Sequence, residues 1–305
     1  MVKTSVAAGL AFVLLALAAG AVADAQELEP RAYMNTPVGL NFLILGYGYT
    51  QGNIAFDAAA PIEDAELTTH TGYLAYARTL DVWGRSGKLD FVLPVVSLSG
   101  TAEVFGQPRA RDVYGLGDPR VRFSTLLYGG PALSLDEFRD YKPDLIIGAS
   151  LAVTLPLGEY ETRYLVNIGT NRWSIRPELG VSKTWGPMTL EMIPSVTFYT
   201  DNRDFFRSTT LQRDPLYAVQ AHLSYFTRVG VWAAFDATYY RGGRPSIDGK
   251  DGDQVEAVRL GGTITLPVNR YNSVKLYGST GVLHRSESNF NALGVAWQYR
   301  WGAGL

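Results

Sequence analysis

The chain has 305 residues, 18 tyrosines, 13 phenylalanines, no cysteine and a net charge of −2. The lack of cysteine excludes a disulfide scaffold and thiol chemistry, and interspersed charge of both signs excludes the basic stripe of a nucleic-acid binder. The three histidines, His70, His222 and His284, have no metal-ligand spacing, so no metal and no cofactor is expected.

Taken in order, the chain opens with Lys3, an apolar run over 6–19, and Ala23-Asp24-Ala25 as a small-residue cleavage site. Residues 1–25 therefore read as a secretory signal rather than a membrane anchor, and no later run approaches the roughly 18 apolar residues of a spanning helix. Residues 26–37, polar and interrupted by Pro30 and Pro37, form a lead-in that lies in the periplasm or inserts into a lumen. Strands are then predicted at 38–49, 70–83, 88–100, 115–128 and 142–155. Long polar connections separate some of them (50–69, and from 101 to about 114), and a tight turn at 84–87 joins two. Ser134-Leu135-Asp136-Glu137 is a capping-box pattern, which predicts a short interfacial helix within 129–142. After a loop at 156–170, two runs of about a dozen residues flank Trp185-Gly186-Pro187, a link short enough only for a tight turn. Loops at 201–214, 241–253 and 284–291 separate the remaining strands at 215–226, 230–240, 254–266, 271–283 and 292–301.

The stretch 171–200 identifies what these strands are. Trp173, Ile175, Pro177, Leu179, Val181 and Trp185 share one parity, with Ser174, Arg176, Glu178, Gly180, Ser182 and Thr184 on the other. Met188, Leu190, Met192, Pro194, Val196 and Phe198 likewise alternate with Thr189, Glu191, Ser195 and Thr197. Period two is the strand signature, because successive side chains leave opposite faces of a pleated chain. Soluble strands average about five or six residues, whereas a tilted membrane-spanning strand needs about nine to eleven. The expected fold is therefore all-β: residues 38–305 form a single transmembrane antiparallel β-barrel of about twelve strands, with short periplasmic turns and long extracellular loops. Trp83, Tyr128, Trp185, Phe226 and Trp301 fall at the periplasmic ends of successive strands, with Leu266 breaking the series. Together with Trp173 and Tyr199 they are expected to form interfacial girdles. Pro94, Pro177 and Pro194 stand inside strands of a barrel that has no edge to host them, and are expected to mark bulges.

Four stretches resemble a known family: Thr36-Pro37-Val38-Gly39-Leu40-Asn41-Phe42, Gly115-Leu116-Gly117-Asp118-Pro119-Arg120, Pro156-Leu157-Gly158-Glu159-Tyr160 and Val166-Asn167-Ile168-Gly169-Thr170-Asn171-Arg172-Trp173. They are similar to the outer-membrane proteins named for the meta-pathway of phenol degradation, and the resemblance runs from about residue 32 to the C-terminus. The chain departs from such barrels in ending on Gly302-Ala303-Gly304-Leu305 after Trp301, instead of on an aromatic. The resemblance implies a barrel and a role in moving hydrophobic or aromatic compounds.

If the apolar parity meets lipid, the lumen receives Asp90, Arg120, Arg122, Arg176, Glu178, Glu191, Asp236, Arg259, Lys275 and Arg300. Charges of this number must line water or pair with one another. Two readings follow: a cationic conduit that filters solutes, or a charge-paired plug stiffening the barrel. Asp118 and Arg120 are expected to pair in capping a turn. His222-Leu223-Ser224 places a potential base and nucleophile on one face. That face is luminal, however, away from the acyl chains a lipid hydrolase must reach, so no catalytic residue is expected. The acidic loop 248–253 lacks the terminal glutamate of a calcium loop. The expectation is thus a passive channel for small, hydrophobic or aromatic solutes in the outer membrane of a Gram-negative-type bacterium. Its partners would be outer-membrane lipid and lipopolysaccharide, a small-molecule solute, and the barrel-assembly machinery during insertion. The alternatives are a closed structural barrel or an outer-membrane lipid hydrolase using Ser224 and His222. The sequence leaves open whether the lead-in or the loop at 156–170 occludes the lumen.

Overall fold

The computed structural model describes residues 29–53, 62–104, 106–284 and 289–305; the expected signal at 1–25 lies outside them. In chain order the strands are β1 (Leu40–Asn53), β2 (Ile62–Val82), β3 (Arg85–Val104), β4 (Gln107–Leu116), β5 (Arg120–Tyr128), β6 (Leu145–Thr154), β7 (Ser174–Trp185) and β8 (Met188–Tyr199). There follow β9 (Asn202–Phe205), β10 (Thr209–Arg213), β11 (Leu216–Phe226), β12 (Trp232–Gly242), β13 (Pro245–Ile247), β14 (Lys250–Asp251), β15 (Val255–Pro267), β16 (Asn272–His284) and β17 (Asn289–Gly302).

Thirteen of them make one sheet in which every neighbour is antiparallel; β1 pairs with both β2 and β17, and β2 pairs in turn with β3, so the sheet closes on itself. Because β4 and β5 occupy one position beside β3, the barrel wall has twelve places. Leu40 pairs with Gly302, which sets both ends of the wall at the rim that carries the short links, such as Trp83-Gly84 and Gly186-Pro187. Residues on the apolar parity, such as Leu179 and Leu190, are exposed on the outside, as are Leu223, Phe235 and Ile264. Their neighbours Arg176, Glu178, Glu191, His222 and Asp236 are buried inside.

Several expected loops are strands. The 50–69 connection is mostly a continuation of β1 and β2, and the polar stretch after residue 100 is the β3–β4 hairpin, paired from Val95↔Leu116 to Val104↔Gln107. Side chains help to hold these extensions: Ala65 and Leu67 are buried on one face of β2 with Glu66 exposed on the other, and in β4 Arg111 Nε donates to the Val166 carbonyl at 3.3 Å. The loops 201–214 and 241–253 contribute β9, β10, β13 and β14, a small second sheet at the long-loop rim.

The three prolines correct the expected bulges in an instructive way. Across the β7–β8 seam the register is the same before and after Pro177 and Pro194: Ile175↔Phe198, Glu178↔Ser195 and Val181↔Met192. The ladder simply skips the proline positions, while each proline still pairs on its other side, with Leu151 and Val219. The missing N–H groups thus fall in one seam and no residue is inserted. Pro94 does face a bulge, in the partner strand. Pairing steps from Val95↔Leu116 to Val92↔Arg120, one residue more than a regular ladder allows. Within that step the Gly117 N–H donates to the Pro94 carbonyl at 3.0 Å.

The capping box is present, closing a single 3-10 turn at Glu137–Arg139. The Ser134 hydroxyl and N–H both donate to Glu137 Oε2, at 2.7 and 2.8 Å. These bonds, the hydroxyl's first, hold the Glu137 carboxyl below the usual range.

The lumen and its inserted segment

Residues 35–39 are fastened along the short-turn rim. Asn35 Nδ2 donates to the Pro131 carbonyl, the Val38 N–H to the Leu133 carbonyl, and the Thr79 hydroxyl to the Pro37 carbonyl. From there residues 29–34 lie inside the barrel. Tyr33 is 1 % exposed and packs with Leu126, Ile146 and Ile193. Its ring rests on a notch made by Gly148 and Gly180, which are direct cross-strand partners. A Cβ on Gly148 would lie 2.4 Å from the ring and one on Gly180 would lie 2.1 Å from it, so only glycine fits at either place. The Tyr33 hydroxyl meets Ser150 Oγ at 2.9 Å, and Ser150 donates to Glu178 Oε2 at 2.6 Å. Glu178 Oε1 is in turn 2.8 Å from Arg176 Nε.

Two further contacts fix the segment. The backbone N–H groups of Ala32 and Tyr33 each donate to one carboxylate oxygen of Glu191, both at 3.1 Å. Glu29 pairs with Arg122 and, at 3.1 Å, with Arg120, while Arg122 Nε donates to Asp90 Oδ2 at 3.1 Å. Charge-assisted contacts of this kind are the strong ones. Arg31 lies over the rings of Phe226 and Trp232, at 4.7 and 4.9 Å.

One cavity of about 1090 Å³ remains beside the segment. It borders Asn167, Arg172, Arg213 and Asp253 at the long-loop rim, and Pro267, Asn269, Tyr271 and Arg300 at the short-turn rim. Of the predicted luminal charges, Asp90, Arg120, Arg122, Arg259, Lys275 and Arg300 border this space. Arg176, Glu178, Glu191 and Asp236 are also luminal but do not border it. They are engaged with one another, with Ser150, with the inserted segment or, for Asp236, with His222 Nδ1 at 2.7 Å and the Thr263 hydroxyl at 3.0 Å. Nine cationic side chains border the cavity (Arg31, Lys88, Arg120, Arg122, Arg172, Arg213, Arg259, Lys275 and Arg300), against four acidic ones (Glu29, Asp90, Asp118 and Asp253).

Two of the expected girdle residues point the other way. Tyr199 borders the cavity with the guanidinium groups of Arg172 and Arg213 over its ring, at 4.9 and 5.2 Å. Phe226 takes the cation of Arg31. Each ends a strand on luminal parity, and an aromatic at a strand end alone does not tell the two faces apart. Trp83, Tyr128, Trp173 and Trp185 are exposed, Trp83 at 97 %. Trp301 stacks on Tyr299, which stacks on Trp297. Asp118 does not cap with Arg120: it accepts from the N–H groups of Gly158 and Thr170 and from the Thr170 hydroxyl, at 2.7–2.8 Å. That single carboxylate gathers three of the stretches singled out in the sequence, holding the 155–173 loop against the β4–β5 step.

A closed antiparallel barrel, apolar outside, charged inside and threaded by its own N-terminal segment, is an outer-membrane β-barrel. The chain belongs to the family described as "Putative MetA-pathway of phenol degradation", whose model matches residues 48–299. Among solved structures it is similar to an outer membrane channel from Pseudomonas putida F1, at 20% identity and a TM-score of 0.76, covering 90% of this chain and 100% of that one. It is also similar to the transport unit of the autotransporter AIDA-I from Escherichia coli, with 10% identity, TM-score 0.50 and coverage of 91% and 94%. The beta domain of the Bordetella autotransporter BrkA matches with 10% identity, TM-score 0.52 and coverage of 87% and 100%. At these identities the likeness is one of fold. No curated protein matches the chain in sequence.

Proposed function

We propose that the protein is a passive outer-membrane channel that admits small, hydrophobic or aromatic solutes through the space beside its inserted segment. The observation that carries this is the cavity of about 1090 Å³, which borders residues at both rims. Its aromatic lining (Tyr73, Tyr199, Tyr277 and Phe290) supports flat, apolar solutes, and its excess of cations supports a preference for anions. Residues 1–25 direct export, and the barrel-assembly machinery inserts the chain among lipid and lipopolysaccharide. The protein acts without catalysis: His222 is fully buried and Ser224 nearly so on the luminal side, away from acyl chains. The test is single-channel conductance of refolded protein in a planar bilayer under a salt gradient. Discrete steps with a reversal potential on the anion side are expected. Absence of both conductance and solute flux into liposomes would sink the proposal and leave the second reading, a closed structural barrel. The ion-paired segment in the lumen favours that second reading.

A further inference from the structure

Arg259 differs from two other deeply buried arginines, Arg122 and Arg176. Arg122 has Asp90 and Glu29 at ion-pair distance, and Arg176 has Glu178. Arg259 is 3 % exposed, and among the described residues no carboxylate lies within ion-pair distance of it. Its Nη1 donates to the Phe290 carbonyl at 3.0 Å and its Nη2 to the Ser279 hydroxyl at 2.9 Å, while Nε has no partner among the described residues. The guanidinium carbon lies over the Phe290 ring, 3.6 Å from its centre. A charge withdrawn from water is costly unless an opposite charge compensates it, and charged groups kept inside a membrane protein mark solute paths.

The surroundings suit a ring. Register sets Arg259 level with Gly281. The neighbouring luminal positions that border the cavity, Thr50, Ser279, Gly281 and Ala292, carry small side chains. A small luminal wall beneath an aromatic-backed guanidinium leaves room for a flat group, with the cation at its edge. The guanidinium fork matches a carboxylate in both charge and plane.

We infer that Arg259 is the binding site for the carboxylate of a small aromatic acid of the benzoate type, its ring lying over the Ser279, Gly281 and Ala292 wall. This rests on the channel reading for its transport consequence but not for the binding itself, so the two are tested separately. Equilibrium dialysis of radiolabelled benzoate against folded protein in detergent measures binding, with benzyl alcohol as the neutral control. Flux of the same two solutes into proteoliposomes measures transport. Benzoate is expected to bind at least tenfold more tightly than benzyl alcohol. Arg259→Gln should lose about tenfold in benzoate affinity, and Arg259→Lys should fall between. Equal affinity for the two solutes in the wild type overturns the site without any variant, as does an Arg259→Gln protein that binds benzoate like the wild type. Arg259-dependent binding with no flux of either solute sustains the site and overturns the channel. If Arg259→Gln does not fold, as judged by heat-modifiable mobility, the wild-type comparison and Arg259→Lys decide.

Discussion

Placing alanine at both Gly148 and Gly180 should empty the notch that seats Tyr33. The added methyl carbons would lie 2.4 and 2.1 Å from the ring, distances that backbone-anchored atoms on two paired strands cannot relieve. The ring must leave. A tyrosine buries about 150 Å² or more, and at roughly 25 cal/mol per Å² its loss costs about 4 kcal/mol, with about 1 kcal/mol more for the hydrogen bond to Ser150. A change of this size shifts the docked-to-undocked ratio of the segment by several thousandfold, about 1.4 kcal/mol per tenfold. The barrel should persist, because both glycines already lie in regular pairing and alanine continues a strand. Single-channel recording should show larger and more frequent openings than the wild type, and trypsin added to proteoliposomes should now cut after Arg31. Tyr33→Ala should reproduce both effects without touching the wall. If folded double-alanine protein conducts like the wild type and Arg31 stays protected, the notch does not retain the segment and the reasoning fails.

Other expectations follow from the same contacts. Glu191→Gln presents an amide N–H to one of the two backbone N–H groups of Ala32 and Tyr33, losing one charge-assisted bond of about 1.5–3 kcal/mol. Roughly tenfold or more faster cleavage at Arg31 is expected, and unchanged protection would show that the carboxylate contact contributes nothing. Arg122→Met leaves Asp90 without its partner and deprives Glu29 of one, so a loss of about 3–5 kcal/mol is expected. It would be read as a lower urea midpoint, and a midpoint at or above that of the wild type contradicts it. Asp118→Ala releases three hydrogen bonds from Gly158 and Thr170, roughly 2–4 kcal/mol of loop anchoring. Trypsin should then cut at Arg163 in the 155–173 loop several times faster, with the barrel's own melting unchanged.

Much of the wall was legible in the chain itself. Period-two patterning over runs of a dozen residues, as in β7 and β8, fixes strand type, length and the outward face, because a pleated strand in lipid has no other way to order its side chains. Alternating long and short links then set the strand count and the rim at which the ends meet. The hairpin extensions of β2, β3 and β4 escaped because polar residues dominate them and only a few apolar side chains, Ala65 and Leu67 among them, carry the alternation there. Within the lumen, sequence assigned Arg176, Glu191, Arg259 and the rest to one interior without ranking them, and it put Phe226 and Tyr199 on the wrong face. Only the tertiary structure separates these residues, because cross-strand register and the path of residues 29–34 decide which charge meets a partner. Gly148 and Gly180 stand far apart in the chain until β6 pairs with β7, and Tyr33 finds its notch only once they do. Parity along a strand is a local property. What fills the space inside a closed barrel depends on every strand at once, and there Glu191 is taken up by the chain's own segment and Glu178 by Arg176 and Ser150, while Arg259 borders the open cavity.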